Sequence, residues 1–224
     1  MLITKNFLLK AWQVFFVGIV SFGFVAQTSA QPDFGGLWLP ATFDPNAPRL
    51  QPGSNGLPFN KAAQVLADEY VASFDLSDAP GGFCVKPDLP RSVWGAPFPV
   101  EIVQTEGFIN MLWEGYFQYR KIYLEGHPRP EPILNTRMGY SVGHFEGDTL
   151  VIQTSYLREY PYMRRVPNTD DATVVERWNI ISTTNDAGEE VKYMTNEMFL
   201  TDSKLYIEPV RITGTLRFSP DTPI

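Results

Sequence analysis

The sequence predicts a mainly β protein, an antiparallel up-and-down barrel of about eight or nine strands with one short N-terminal helix. From residue 99 onwards, short runs rich in Val, Ile, Tyr, Phe and Thr alternate with turn residues, which is typical of an antiparallel all-β domain. Residues 60–74 instead carry helical periodicity. A meander of this kind closes into a barrel or folds into a sandwich, and we expect the barrel because closure removes exposed strand edges.

The first 30 residues are predicted to be a secretory signal peptide. Lys5 and Lys10 precede an uncharged run over residues 14–26, and Thr-Ser-Ala at 28–30 supplies small residues for a signal peptidase. The apolar run is about 13 residues, shorter than the roughly 20 of a membrane-spanning helix. An uncleaved anchor is the alternative. We expect a periplasmic or secreted protein with no membrane span after cleavage.

Cleavage would leave about 194 residues, which is enough for one domain with its own core. We predict that an N-terminal arm, residues 31–98, and the barrel, residues 99–224, form that domain. Losing the two lysines of the leader would take the net charge from −7 to about −9, so the surface should repel nucleic acid. Cys84 is the only cysteine, so no internal disulfide can form, and we expect it to be a small buried hydrophobe.

Residues 60–74, NKAAQVLADEYVASF, are the predicted helix. Asn60 is placed to cap its N-terminus. Four apolar residues recur on one face: Ala63, Leu66, Tyr70 and Phe74. The segments on either side are rich in Pro and Gly and are predicted to be irregular.

The strands are predicted to be joined mostly by tight hairpins, with turns at Glu106-Gly107, at Gly147-Asp148 and over residues 185–188. In the strand around Arg120, side chains alternate between two faces, and neither face is purely apolar. A barrel of about eight strands is either filled by its side chains or holds one small ligand. A mixed polar and aromatic lining would suit the ligand.

Several motifs together resemble a group of exported bacterial proteins of lipocalin-like appearance, over residues 34–217. They include PFPVEIVQTEGFINMLWE, YRKIYLEGHPRP, MGYSVGHFEGDTLVIQT, VVERW and YIEPV. The resemblance implies a lipocalin-like barrel. Gly36-Leu37-Trp38 is similar to the Gly-x-Trp that opens lipocalin barrels, where the tryptophan plugs one end and an arginine lies across it; Arg217 or Arg211 would play that part.

The chain departs from this family pattern at four positions. Tyr140 stands where relatives have histidine, and Gln153 stands where they have aspartate. His127 and Arg129 occupy positions where relatives have arginine and then histidine. If these positions carry chemistry in the family, this member has altered or lost it.

Ionisable and polar side chains within apolar strands are the candidate catalytic groups, because burying them is costly unless they are paired or used. They are Glu101, Arg120, Tyr140, His144 and Glu176. Glu101 and Arg120 would form an inward pair that orients a polar ligand group, or else a surface cross-strand pair. Glu176 shares its face with Trp178, which points either inward or to the outside.

His144 and Glu146 lie two apart in one predicted strand and therefore share a face, so they could act as an acid and base pair. The alternative is a hairpin tip. Gly147 would supply its positive dihedral angle and Asp148 would bond local backbone amides.

Aromatic residues are the candidate ligand contacts: Trp113, Tyr119, Tyr156, Tyr160 and Trp178. Residues 155–172 form a long loop with three tyrosines and three arginines. Such a loop would close over an apolar or aromatic guest as a lid, with its arginines drawing an anionic one, or would pack on the barrel exterior.

We expect no metal and no cofactor, because the two histidines lie in unrelated segments and no phosphate-binding or dinucleotide fingerprint is present. The favoured function is binding of a small apolar or aromatic molecule in the barrel's cavity. The alternative is a cofactor-independent lyase, isomerase or hydrolase acting on such a molecule. A third possibility is a module that displays the arm and the loop to a partner protein.

Overall fold

The structure is a computed structural model that describes residues 31–41, 56–93, 98–126, 131 and 133–220. The predicted signal peptide lies outside these residues, as do His127 and Arg129. No helix within the described residues is long and apolar enough to cross a membrane.

Nine strands of the described chain close into a barrel in sequence order, so the predicted mainly β barrel is confirmed. Each strand pairs with the next, and the first pairs with the last. The strands are β1 (Gly36–Pro40), β2 (Val100–Gln104), β3 (Phe108–Trp113), β4 (Gln118–Leu124), β5 (Tyr140–Glu146), β6 (Thr149–Ser155), β7 (Thr173–Thr184), β8 (Glu190–Thr201) and β9 (Val210–Phe218).

The predicted antiparallel arrangement holds for every neighbouring pair except β4 and β5, which run parallel with Ile122 opposite Ser141. Strand directions cannot alternate all the way around a ring with an odd number of strands. At least one neighbouring pair must therefore be parallel. The parallel pairing of β4 with β5 meets this requirement, since β5 begins at the barrel end at which β4 begins.

β1 comes from the predicted arm and closes the barrel between β2 and β9. Its Trp38 is buried, and the indole Nε1–H donates to the carbonyl of Phe34 at 2.9 Å. Phe218 packs against this tryptophan, with ring centroids 5.1 Å apart. Arg211 and Arg217 alternate with the inward side chains of β9 and therefore project from the outer face, where Arg211 bonds to the carboxylate of Glu197.

α1 (Lys61–Ser73) is the predicted helix, and Asn60 caps it by accepting the backbone N–H of Ala63 at 2.9 Å. The predicted apolar face is buried only in part. Ala63 and Ala67 are buried, whereas Leu66 is about half exposed. The helix therefore packs against the rest of the protein through small side chains one helical turn apart, which allow its backbone to approach closely.

Loops close one end of the barrel, where β3 and β6 end and β4 and β7 begin; we call it the capped end. The cap loop, residues 156–172, covers this end together with the segment that contains Leu89. Leu157 and Val166 of the cap loop are buried against the inward side chains of the strand ends. The loop was expected either to act as a lid or to pack on the barrel exterior, and the structure has it folded down over the barrel end as part of the core.

Candidate functional site

The barrel interior holds a buried ion pair between Arg120 of β4 and Glu176 of β7, which are 1% and 0% exposed. The guanidinium donates Nη1–H to Oε2 at 3.1 Å and Nη2–H to Oε1 at 2.5 Å. Two strands separate β4 from β7 in the barrel, so the pair spans the interior. Sequence reasoning singled out both residues but paired Arg120 with Glu101, and that pairing is wrong.

The surrounding side chains complete the hydrogen bonding of this pair. Arg120 also donates Nε–H to the hydroxyl of Ser141 at 3.1 Å and Nη2–H to the hydroxyl of Thr154 at 2.8 Å. The indole of Trp178 donates to Glu176 Oε2 at 3.0 Å. Because every member binds another protein group, the network rigidifies the interior and leaves neither charge available to a ligand.

Apolar side chains pack around this network. Ile109, Met111, Ile122, Ile152 and Met194 are each 0% exposed, so no water-sized void touches them. We expected the ligand space inside the barrel, and two cavities are described at its capped end.

Glu101 faces away from the interior. It lies between the buried Val100 and Ile102 in β2, and alternation along a strand sends it to the outer face. It stands opposite Leu37 and Leu112 in the neighbouring strands. The outer position is the reason that it cannot meet Arg120.

Tyr140 and His144 also face outward, because the buried Ser141 and Gly143 alternate with them in β5. The Tyr140 ring lies against that of Tyr123, with centroids 5.3 Å apart. Neither candidate lines a cavity among those described. The structure therefore brings together only two of the five predicted catalytic residues.

His144 and Glu146 share a face as predicted, but on the outer surface. His144 Nε2 lies 3.2 Å from Glu146 Oε1, and Arg177 Nη2–H donates to Glu146 Oε2 at 2.8 Å. These hydrogen bonds, first from Arg177 and then from His144, hold the pKa of Glu146 below its usual range. Gly147 has a φ of +60° and forms the turn with Asp148. The group is a hairpin tip with an exposed ion network.

The predicted aromatic contacts divide among three places. Trp113 and Tyr160 line a cavity at the capped end, and Trp178 belongs to the interior network. Tyr119 is half exposed and donates its hydroxyl to Asn110 Oδ1 at 2.6 Å, and Tyr156 is also exposed.

The cavity at the capped end, which we call the end cavity, has a volume of about 190 Å³. Three parts of the chain enclose it: residues 79–92 after α1, the β3–β4 connection and the cap loop. Five aromatic rings form much of its wall: Phe98, Trp113, Tyr116, Tyr160 and Tyr162. Polar side chains are contributed by Arg91, Ser92 and Gln118.

A second, more open cavity of about 380 Å³ shares the side chains of Tyr160 and Tyr162 with the end cavity. Arg137, Arg158 and Glu159 also line it. The two tyrosines therefore form a common wall.

Close packing fixes the walls of the end cavity. A Cβ atom on Gly115 would lie 2.2 Å from the Phe98 ring, so only glycine lets this ring close over the cavity. The Gln118 side-chain amide donates to the carbonyl of Pro87. In the cap loop, Tyr160 and Asn168 exchange backbone hydrogen bonds of 2.9 and 3.1 Å. The lining side chains therefore project from ordered backbone.

The segment that contains Arg91 is attached to Arg137 through the buried carboxylate of Asp88. Asp88 is 1% exposed and accepts a hydrogen bond from Arg137 Nη1 at 2.6 Å, while the Leu89 N–H donates to the Arg137 carbonyl at 3.0 Å. Asp88 Oδ2 is buried without a partner among the described residues. Burial raises the pKa of Asp88, although its hydrogen bond from Arg137 opposes this.

Several lining residues were not among the sequence candidates, notably Arg91, Ser92, Phe98, Tyr116 and Gln118. Four of them lie in or beside proline-rich or turn segments that show no periodicity and were predicted to be connections. Gln118 shares its strand face with Arg120 but was not singled out. Only the folded arrangement brings these segments together.

Cys84 is exposed, so the expectation that it is buried is wrong. It follows a short 3-10 helix, Pro80–Phe83, and has a left-handed backbone conformation with φ of +58°. Within the described residues, no group of three or more His, Cys, Asp or Glu side chains is arranged to hold a metal ion.

Fold alone does not identify a ligand, because β-barrels support many unrelated functions. The resemblance to exported lipocalin-like proteins rests on sequence motifs and remains a prediction. The chemistry of the site therefore has to be inferred from its own residues. Comparison with protein-family models, with curated proteins and with solved structures finds no match to this chain.

Proposed function

We propose that this protein is an exported, lipocalin-like binding protein that holds a small aromatic molecule in the end cavity. The observation that carries the proposal is the convergence of five aromatic rings from separate segments around one cavity. Small-molecule sites are concave, mostly apolar and provided with a few polar groups that orient the ligand. The end cavity has this composition.

Its size limits the ligand. A volume of about 190 Å³ is smaller than the roughly 300–1,000 Å³ of typical ligand pockets, so a molecule built on one aromatic ring is the best fit. Periplasmic or secreted placement follows from the predicted leader.

Binding is favoured over catalysis by the positions of the candidate catalytic groups. Arg120 and Glu176 are engaged with each other inside the barrel. Glu101, Tyr140 and His144 lie on the outer face. None of the five lines either described cavity, so the proposed site holds no acid and base pair for the predicted reactions.

Calorimetric titration of the mature protein with small aromatic probes tests the proposal. We expect benzamide, benzyl alcohol or indole to bind with a measurable Kd, and Tyr162→Ala to weaken that binding about three- to tenfold because one ring of the wall is lost. Tyr119→Ala is the matched control, since it removes an outward tyrosine that lines neither cavity. Absence of binding by every aromatic probe at millimolar concentration, charged probes included, would contradict the proposal.

A further inference from the structure

We propose that Arg91 makes the end cavity selective for aromatic carboxylates, an inference that rests on the proposed binding function and names its ligand class. Arg91 lines the end cavity and is half-buried. Within the described part of the chain, its guanidinium forms no hydrogen bond and no ion pair. The cavity thus contains a cation whose hydrogen-bonding capacity is unused.

Three other arginines, unlike Arg91, each bind a carboxylate of the chain. Arg120 binds Glu176, Arg137 binds Asp88, and Arg177 binds Glu146. A guanidinium presents a planar fork of donors that fits a carboxylate, and removing it from water is costly unless such a partner is supplied. A carboxylate ligand would give Arg91 the partner that the chain gives to these three.

The charges around the end cavity also favour an anion. None of the described lining residues is acidic, so a bound carboxylate would meet one cation and no anion at the wall. Asp88 is the nearby acid, since its charge acts on Tyr160, but it is already bonded to Arg137. The local field therefore attracts a negative group.

Two tyrosines supply further donors. The hydroxyls of Tyr160 and Tyr162 have no hydrogen-bond partner among the described residues, and both side chains line the end cavity. Burial raises the pKa of Tyr160, so its phenol stays protonated at neutral pH and can donate a hydrogen bond. A guanidinium and phenolic hydroxyls can all donate hydrogen bonds to a carboxylate. The aromatic side chains of the wall can pack against the aromatic ring of the same ligand.

The test compares benzoate with benzamide, which has nearly the same shape but no charge. By titration calorimetry on the mature protein, we expect benzoate to bind about ten- to a hundredfold more tightly than benzamide, because its hydrogen bonds to Arg91 are charge-assisted. Arg91→Gln should remove this preference by weakening benzoate alone. Arg91→Lys should keep part of it, because the charge remains.

Arg165→Gln is the matched control, since it makes the same charge change at an exposed position of the cap loop that does not line the end cavity. It should leave both affinities unchanged. An unaltered ratio of benzoate to benzamide affinity in Arg91→Gln would overturn the inference and leave the binding function standing. Failure of every aromatic probe to bind would overturn both. A urea midpoint for each variant verifies that it is folded.

Discussion

Glu176→Gln is the change that tests the buried network most directly. The substitution keeps the shape of the side chain and one carbonyl oxygen, which can still accept the hydrogen bond of Trp178. It removes the negative charge that faces Arg120. A guanidinium that is 1% exposed is then left inside the barrel without a counter-ion.

The expected cost follows from this burial. Removing one partner of a buried ion pair destabilises proteins by about 3–5 kcal/mol, because the remaining charge is uncompensated. We expect about 3 kcal/mol here, since Ser141 and Thr154 still bond the guanidinium. With a urea dependence of about 2 kcal/mol per molar, the unfolding midpoint would fall by about 1.5 M.

Urea unfolding monitored by tryptophan fluorescence measures this shift, and Trp178 lies beside the changed group. The control is Arg211→Gln, which breaks the partly exposed pair with Glu197 and should cost less than about 1 kcal/mol. The double change Arg120→Met with Glu176→Leu should recover part of the loss, because no unpaired charge remains. A midpoint for Glu176→Gln no lower than that of Arg211→Gln would refute the buried-pair reasoning.

Two further changes test the carboxylate behind the end cavity and the hairpin tip. Because the pKa of Asp88 is raised in the folded state, its contribution to stability is fully present below the unfolded value of about 3.9 and is lost as pH rises through the folded pKa. We therefore compare the unfolding free energies of the wild type and of Asp88→Asn by urea titration. The wild-type value minus the variant value should decrease from pH 4 to pH 7. A constant or increasing difference would contradict this expectation. Gly147→Ala should cost about 1–2 kcal/mol from backbone strain alone, because φ is +60° and no atom lies within 4 Å of the added Cβ. Thermal unfolding would register this as a fall of several degrees, partly recovered in Gly147→Asn, and an unchanged Tm would show that the turn carries no strain.

The strands and the helix were predictable because their signals are local. Alternation along β4 and β7 placed Arg120 with Ile122 and Glu176 with Trp178, and the structure has both groups inside. The parallel pairing of β4 with β5 was not predictable. Fifteen residues separate these two strands, so no two-residue turn fixes their register.

The end cavity could not be predicted for a related reason. Arg91, Trp113 and Tyr160 are far apart in the sequence, and nothing in their neighbourhoods indicates that they meet. Trp113 was chosen only as an aromatic residue, and Tyr160 as an aromatic residue of the loop that could act as a lid. Arg91 lies in a proline-rich segment whose path is set by tertiary contacts such as the Asp88–Arg137 ion pair.

β1 closes the barrel, and this closure removes strand edges to which other chains could bind. It has five residues, and its two partners, β2 and β9, lie about 60 and 170 residues away in sequence, whereas most other strands pair with a neighbour in the chain. Pairing of this short segment with β2 and β9 closes the ring. Without it, the facing edges of these two strands would present unpaired backbone groups that can pair with strands of other chains. We therefore expect removal of β1 to make the protein prone to aggregation.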